Sequence, residues 1–265
     1  MNKESRLQEA YLSRLEKQRR KIMAARILLA LAFFLLWETA ADRGWIDSFF
    51  FSSPSRLGRL FLSMWRDGSL FLHVGITLTE TLVSFALVVV IGLAVSLLLW
   101  LSDSVFQVLE PYLVILNSLP KSALAPLLIV WLGANSRTII VAGMSVAIFG
   151  TILNLYTGFT ETSREKIRLI YTLHGTKKDA LTKVVLPSTV PMIISIMKVN
   201  IGLCLVGVVI GEFIGAREGL GYLIIYGSQV FRLDWVMMSI VLLCMIAMLL
   251  YGLLGLIEKR CLRRR

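Results

Sequence analysis

Six apolar stretches run through this 265-residue chain: 22–41, 75–100, 106–132, 138–158, 190–211 and 235–257. Each is long enough to cross a hydrocarbon core of about 30 Å, which takes roughly 20 residues of helix. Within lipid the backbone must satisfy its own hydrogen bonds, so a spanning segment is a helix or one strand of a closed barrel. The stretches show no period-two alternation and far exceed the ~10-residue strands of a barrel. The expectation is an all-α polytopic membrane protein with six transmembrane helices. Composition agrees: 17% of residues are charged, against about 25% in a soluble domain.

The first stretch reads as a retained helix. It is longer than a signal-peptide core and ends in "WETAADRGW", without a small-x-small cleavage site. Orientation follows from the basic residues, which mark the cytoplasmic side when they lie in short loops. The arm before the first span carries eight Lys and Arg, the 159–189 loop six and the tail five; the opposite side carries seven. With six spans the richer three regions share one side, which puts both termini in the cytoplasm. The stretch 106–132 contains Pro111, Pro120, Pro126 and Lys121 and reads as kinked or broken. Were it not to cross, the charge bias would reverse. The organisation is thus a basic cytoplasmic arm (1–21), a six-helix domain (22–258) with a cytoplasmic loop at 160–189, and a basic tail (259–265). The arm's charge also suits contact with anionic lipid, and no motif for nucleic acid accompanies it.

Several chemistries are excluded. There is no GxxxxGK[ST] loop to hold a nucleotide, and no HExxH, GxSxG or paired-carboxylate motif. His73 and His174 fall on opposite sides of the membrane and cannot share a metal. Cys204, Cys244 and Cys261 lack CxxC spacing and read as packing residues. Catalysis by this chain alone is not expected, and neither a metal nor a cofactor of its own. Energy for uphill transport would come from an ion gradient or another subunit. Glu38, Glu80, Glu110 and Glu212 lie near the ends of their apolar runs. Ion-coupled carriers usually bury charges at mid-membrane, so an ion-coupled secondary transporter is the weaker alternative. A membrane scaffold without transport activity is a third.

Between the fourth and fifth spans runs "TGFTETSREKIRLIYTLHGTKKDALTKVVLPSTVP". Thr160 or Thr162 can cap a helix bearing Ile167, Ile170 and Tyr171 at helical spacing. After Gly175 a second helical piece puts Ala180, Leu181, Val184 and Val185 on one side, with Lys177, Lys178, Asp179 and Lys183 mostly on the other. Pro187 and Pro191 are expected to stop that piece and restart the chain into the membrane. Such a short amphipathic pair either lies on the lipid surface or docks a cytosolic partner, with Gly175 allowing a tight turn or a close backbone approach.

Gly175 followed by "VVLP" (184–187) resembles the EAA loop of ABC-importer permeases. "LPKSALAPLLIVWLG" (119–133), "NLYTGF" (154–159), "GEFIGAREGLGYLI" (211–224) and "FFFSSPSRLGRLF" (49–61) resemble segments of the nitrate/sulfonate/taurine branch, over about residues 45–260. The resemblance implies the type I importer permease fold and an inner-membrane protein. It implies a second permease copy, a cytosolic P-loop ATPase that binds ATP and Mg, and a solute-binding protein on the outer face. It also implies that Arg168, Leu169, Ile170, Tyr171, Gly175, Lys177, Leu186 and Pro187 couple the spans to that ATPase. The Glu-Ala-Ala that names the loop falls on Leu169, Ile170 and Tyr171, so the family's acid is missing here. Docking would then rest on shape, apolar contact and the cations Arg164, Lys166 and Arg168.

Polar residues inside spans are costly and mark candidate pathway positions: Asn117, Ser118, Lys121, Asn154, Lys198, Asn200 and Glu212. Each has a plainer reading. Lys121 and Lys198 can snorkel to the surface instead of attracting an anionic solute. The asparagines can bond between helices. Glu212 can tie down a loop instead of gating. Gly207, Gly211 and Gly215 recur at every fourth position, which suits close helix packing within the chain or across a dimer.

Overall fold

The computed structural model describes residues 3–263. Met1, Asn2, Arg264 and Arg265 lie outside the described residues. So do the side chains of the arm through Glu16, that of Arg19, and those from Cys261 onward. The charges assigned above to much of the arm and tail therefore rest on sequence. The described residues are helical almost throughout: α1 (Lys3–Asp42), α2 (Ser48–Phe51), α3 (Pro54–Arg66), α4 (Ser69–Leu101), α5 (Asp103–Ser118), α6 (Lys121–Leu132), α7 (Ser136–Thr160), α8 (Arg164–Thr172), α9 (Lys177–Ala180), a π-helical turn (Leu181–Val185), α10 (Leu186–Gly215), α11 (Leu220–Gln229) and α12 (Leu233–Arg263).

Five helical stretches among the described residues are long and apolar enough to cross a membrane: Arg20–Asp42, Ser69–Leu101, Ser136–Thr160, Lys177–Gly215 and Leu233–Arg260. A sixth crossing exists if α5 and α6 count as one span, but the two are bent by 95°. The bend falls where the sequence demands it. A residue before proline is pushed out of helical geometry, and Leu119 and Pro120 are both extended, at ψ 137° and 105°. Pro111 and Pro126 sit inside their helices without ending them.

The prolines after the charged loop behave differently from the expectation. Pro187 and Pro191 do not interrupt the chain: helix runs unbroken from Lys177 to Gly215. For Pro187 the π-helical turn is the reason, while Pro191 simply sits inside α10. In that turn Leu186 N–H reaches back five residues to the Leu181 carbonyl, which widens the ladder just before Pro187. A proline ring normally clashes with the carbonyl four residues back, and a wider turn relieves that crowding.

The chain divides into two units, Met1–Ser63 and Met64–Arg265. In the first, Asp47 caps α2 by accepting from Phe49 N–H, and Glu38 accepts from Ser55 N–H at 2.9 Å, at the start of α3. The second unit is built on α4, α7 and α10. Their core gathers Val88, Leu99, Ala147, Ile148, Ile152 and Cys204, all buried. Small residues let the backbones meet. A Cβ on Gly207 would stand 2.8 Å from Gly143 Cα and 3.0 Å from the Ala142 carbonyl oxygen. One on Gly143 would stand 2.6 Å from Ser84 Oγ and 2.7 Å from Val208. Gly211 faces Ala142 and Ile139, and Gly215 faces Ile129. The four-residue glycine stripe thus serves packing within the chain. Ser84 adds a polar tie, its hydroxyl lying 2.7 Å from the Glu80 carbonyl and 3.0 Å from that of Ile140.

This packing generates a paired prediction. Gly207→Val should destabilise the permease by about 1–3 kcal/mol, the usual range for overpacking. Gly202→Ala on the same helix, where a Cβ meets nothing within 4 Å, should leave stability unchanged or slightly raised. Thermal unfolding of the two variants in detergent, followed by size-exclusion profile, measures the difference.

Candidate functional site

The charged loop folds into a braced hairpin of helices. Neither candidate cap serves α8. Thr160 Oγ1 bonds back to the Tyr156 and Thr157 carbonyls and Thr162 Oγ1 to that of Gly158, so both finish α7, and Ser163 opens α8 without a side-chain bond. Their spacing from α7 decides this: a hydroxyl three or four residues beyond a carbonyl is within its reach.

The exit from α8 is a Schellman turn. Gly175 N–H donates to the Ile170 carbonyl at 2.8 Å and His174 N–H to that of Tyr171 at 3.0 Å. The left-handed residue is His174, at φ 60°. Gly175 is needed for a different reason, close approach: a Cβ there would stand 2.5 Å from Ile170 Cγ2 and 2.9 Å from its carbonyl oxygen. Two residues singled out separately in the sequence therefore form one contact.

Thr176 then starts α9 through a capping box with Asp179, and Lys183 pairs with Asp179 at 2.9 Å. The bond from Lys183, followed by those from Thr176, holds the Asp179 carboxyl well below the usual carboxylate range. Ala180, Leu181 and Val185 are buried with Trp100 of α4 and Leu155 and Phe159 of α7; Ile167, Ile170 and Leu186 pack on the same cluster. Lys177 turns back on the chain. Its Nζ lies 5.4 Å from the Trp100 ring centre, a cation–π contact, and 4.0 Å from Asp103 at the start of α5. The loop is thus fastened to the ends of α4, α5 and α7. Its other side is open: Arg168, Leu169, Tyr171 and Leu173 are exposed, Leu173 by 70%. Pro187 is the second residue of α10 and is half-buried.

The candidate pathway residues do not form one group. Asn117, Asn154 and Asn200 line a single cleft of about 420 Å³ between α5, α7 and α10. Ser118 bonds its own helix at the Val114 carbonyl. Lys121 donates to the Leu116 carbonyl and lies over the Phe149 ring at 5.3 Å. Lys198 borders a different cleft, is paired with Glu258 of α12, and lies over Tyr251. Its charge is matched inside the chain.

Glu212 stands apart again and ties down α11. Three successive backbone N–H groups at that helix start find acceptors: Gly219 on His73 Nδ1 at 3.0 Å, Leu220 on Thr77 Oγ1 at 2.9 Å, and Gly221 on Glu212 Oε2 at 2.6 Å. Thr77 donates in turn to Glu212 Oε1 at 2.6 Å. The first turn of a helix leaves such donors unmet, and side chains from α4 and α10 meet them here. Gly221 permits the approach, since a Cβ there would stand 2.7 Å from the Glu212 carboxylate. One turn along α4 from Thr77 is Glu80, buried, with neither carboxyl oxygen hydrogen-bonded among the described residues. It borders a cleft of about 180 Å³ together with Ser136 and Arg217. Sequence reading missed the roles of Thr77, His73 and Glu258; their partners lie at least 60 residues away along the chain. Among the described residues no group of three or more His, Cys, Asp or Glu has the makings of a metal site.

A helical membrane domain with a braced, charged loop and a polar cleft between its core helices has the architecture of a transporter permease. Its fold matches that of the MetNI methionine ABC transporter in an inward-facing structure, with a TM-score of 0.61 at 21% identity over 71% of this chain and 94% of that one. Residues 88–265 match the family of binding-protein-dependent transport system inner membrane components, and the chain belongs to it. It is 29% identical to a probable ABC transporter permease of Haemophilus influenzae, over 85% of this chain and 91% of that protein. It is 29% identical to the formylaminopyrimidine transport permease ThiX of Halalkalibacterium halodurans, over 74% and 77%. It is 26% identical to the taurine transport permease TauC of Escherichia coli, over 87% and 84%. The chain is an inner-membrane permease component of an ABC importer, as the loop and span motifs imply.

Removing the Glu212 carboxylate tests the α11 anchor. Glu212→Ala strips Thr77 and Gly221 of their acceptor, at a cost of about 1–3 kcal/mol for each group left unmet. The expected result is a clearly lowered unfolding midpoint in detergent; an unchanged midpoint would contradict the anchoring role.

Proposed function

We propose that the permease crosses the membrane six times with both termini in the cytoplasm and works as one of two copies. In this reading each copy is seated on a separate P-loop ATPase that binds ATP and Mg, and a solute-binding protein delivers solute to the outer face. The α8–α10 loop receives the motion of the ATPase and passes it to the spans. The observation that carries this is the two-sidedness of the loop: Trp100, Leu155 and Phe159 hold one side, while Leu169, Tyr171 and Leu173 stay exposed beside Arg164, Lys166 and Arg168. A helix that merely rested on lipid would not need rigid fastening to three span ends. The missing family acid shifts docking toward those apolar and cationic contacts. The solute is of the kind handled by the relatives, a formylaminopyrimidine, taurine, another sulfonate or nitrate.

The test separates coupling from folding. Gly175→Glu forces a side chain against Ile170 and should abolish most ATP-driven uptake while the permease level in the membrane stays near normal. Leu173→Asp, on the open side, should weaken co-purification of the ATPase. Uptake that persists in the Gly175→Glu variant, or that survives ATP depletion while the ion gradient is kept, would sink the reading and favour an ion-coupled carrier.

A further inference from the structure

We infer that the carboxamide-lined cleft between α5, α7 and α10 is where this permease touches its solute, and that it takes an uncharged solute bearing both hydrogen-bond donors and acceptors, in preference to a sulfonate or nitrate anion. The inference rests on the importer reading above and adds the chemistry of what passes.

The cleft holds about 420 Å³, the size of a small-molecule site, and no charged side chain lines it. Its polar groups are Asn117 from α5, Asn154 from α7, and Ser195 and Asn200 from α10; Val146 and Val199 are among its apolar walls. Few polar groups on apolar walls is the usual make-up of a pocket that orients a small solute.

The amides are placed, not scattered. Asn200 is buried, and its Nδ2 donates to Thr151 Oγ1 at 2.8 Å. Thr151 gives its own proton to the Ala147 carbonyl at 2.6 Å, so its oxygen must accept from Asn200. That network sets which way the amide faces and leaves Asn200 Oδ1 as an acceptor. Asn117 lies against Gly150 of α7, its Oδ1 3.2 Å from where a Cβ would stand, so the glycine makes room for it. Asn154 is one helical turn beyond Gly150. Asn117 and Asn154 are exposed and make no side-chain hydrogen bond among the described residues, so their amides are free to meet a solute.

Charge selects against an anion. Recognition of a sulfonate or nitrate favours an arginine or lysine that is not already paired. Lys198 is spent on Glu258 and faces another cleft. Lys121 donates to the Leu116 carbonyl, lies over the Phe149 ring and does not line the cleft. Carboxamides instead offer matched donors and acceptors, which suits a ring with amino and ring-nitrogen or carbonyl groups. A pocket built for such bonds rejects a solute that cannot make them, because its own amides are then left unpaired.

The experiment uses the assembled importer, permease with its ATPase, in nanodiscs. Ser195→Cys places a thiol in the cleft and keeps all three asparagines; Cys244→Ser and Cys261→Ser remove competing thiols, and buried Cys204 stays. A membrane-impermeant maleimide should label the thiol, at a rate that differs several-fold between nucleotide-free and ATP-trapped states. Millimolar formylaminopyrimidine should slow labelling several-fold, while taurine and nitrate should not, and Asn154→Leu should remove the protection. Absence of labelling, protection by taurine or nitrate, or protection by none of the three overturns the inference. ATP-driven uptake by the parent importer, measured alongside, reports separately on the importer reading.

Discussion

The contact of Gly143 with Gly207 is the constraint on which the rest depends. Helices in lipid gain little from the hydrophobic effect on association and must be held by close packing and interhelical bonds. Here a Cβ on either glycine would meet the other helix at about 2.7–2.8 Å, so α7 and α10 touch backbone to backbone. With α4 alongside, this makes a stiff three-helix core. One end of that core carries the Trp100, Leu155 and Phe159 cluster that seats the loop. The other end carries the Glu212, Thr77 and His73 set that seats α11. The asparagine cleft opens between them. A core with slack at the glycines would let its two ends move independently.

Much of this was legible in the sequence because it depends on local pattern. The apolar run lengths marked the five helices long enough to cross a membrane, and the prolines of 106–132 marked a kink or break there. The four-residue glycine spacing gave a packing face, though not its partner. Gly175 was readable as a tight turn or close approach; Ile170 as the residue approached was not, since one backbone bond decides it. The errors share a cause. Thr160 and Thr162 looked like caps for the following helix, but the carbonyls of the preceding one were nearer. Pro187 and Pro191 looked like stops, but a π-helical turn of five residues relieves Pro187 and the helix runs on through Pro191. Propensity says what a residue prefers, while the neighbouring turn settles which preference is met.

Long-range polar pairing was the least legible part. Nothing in the local sequence around Lys198 points to Glu258, and reading it alone made it a candidate for drawing an anion into the pathway. Paired, it becomes a tie between α10 and α12. For Glu212, where the sequence left loop anchoring and gating both open, the three acceptors on three successive N–H groups mark a built anchor. The sequence left two readings of the asparagines open, and Asn200 makes the interhelical bond of the plainer one, to Thr151 on α7. All three share one cleft, and two of them have no hydrogen-bonding partner of their own among the described residues.

That contrast bears on how an importer of this kind can be selective and still release its solute. A buried cation would hold an anion through a charge-assisted bond, roughly twice as strong as a neutral one, and each turnover would have to break it. Neutral amide contacts are individually worth about 0.5–1.5 kcal/mol net, enough to orient a passing solute without trapping it. If the proposed cleft is the pathway, its carboxamide lining, with Lys198 already paired to Glu258, favours passage over storage. On the proposed reading, discrimination among solutes can lie with the delivering protein, with the cleft amides excluding what cannot satisfy them.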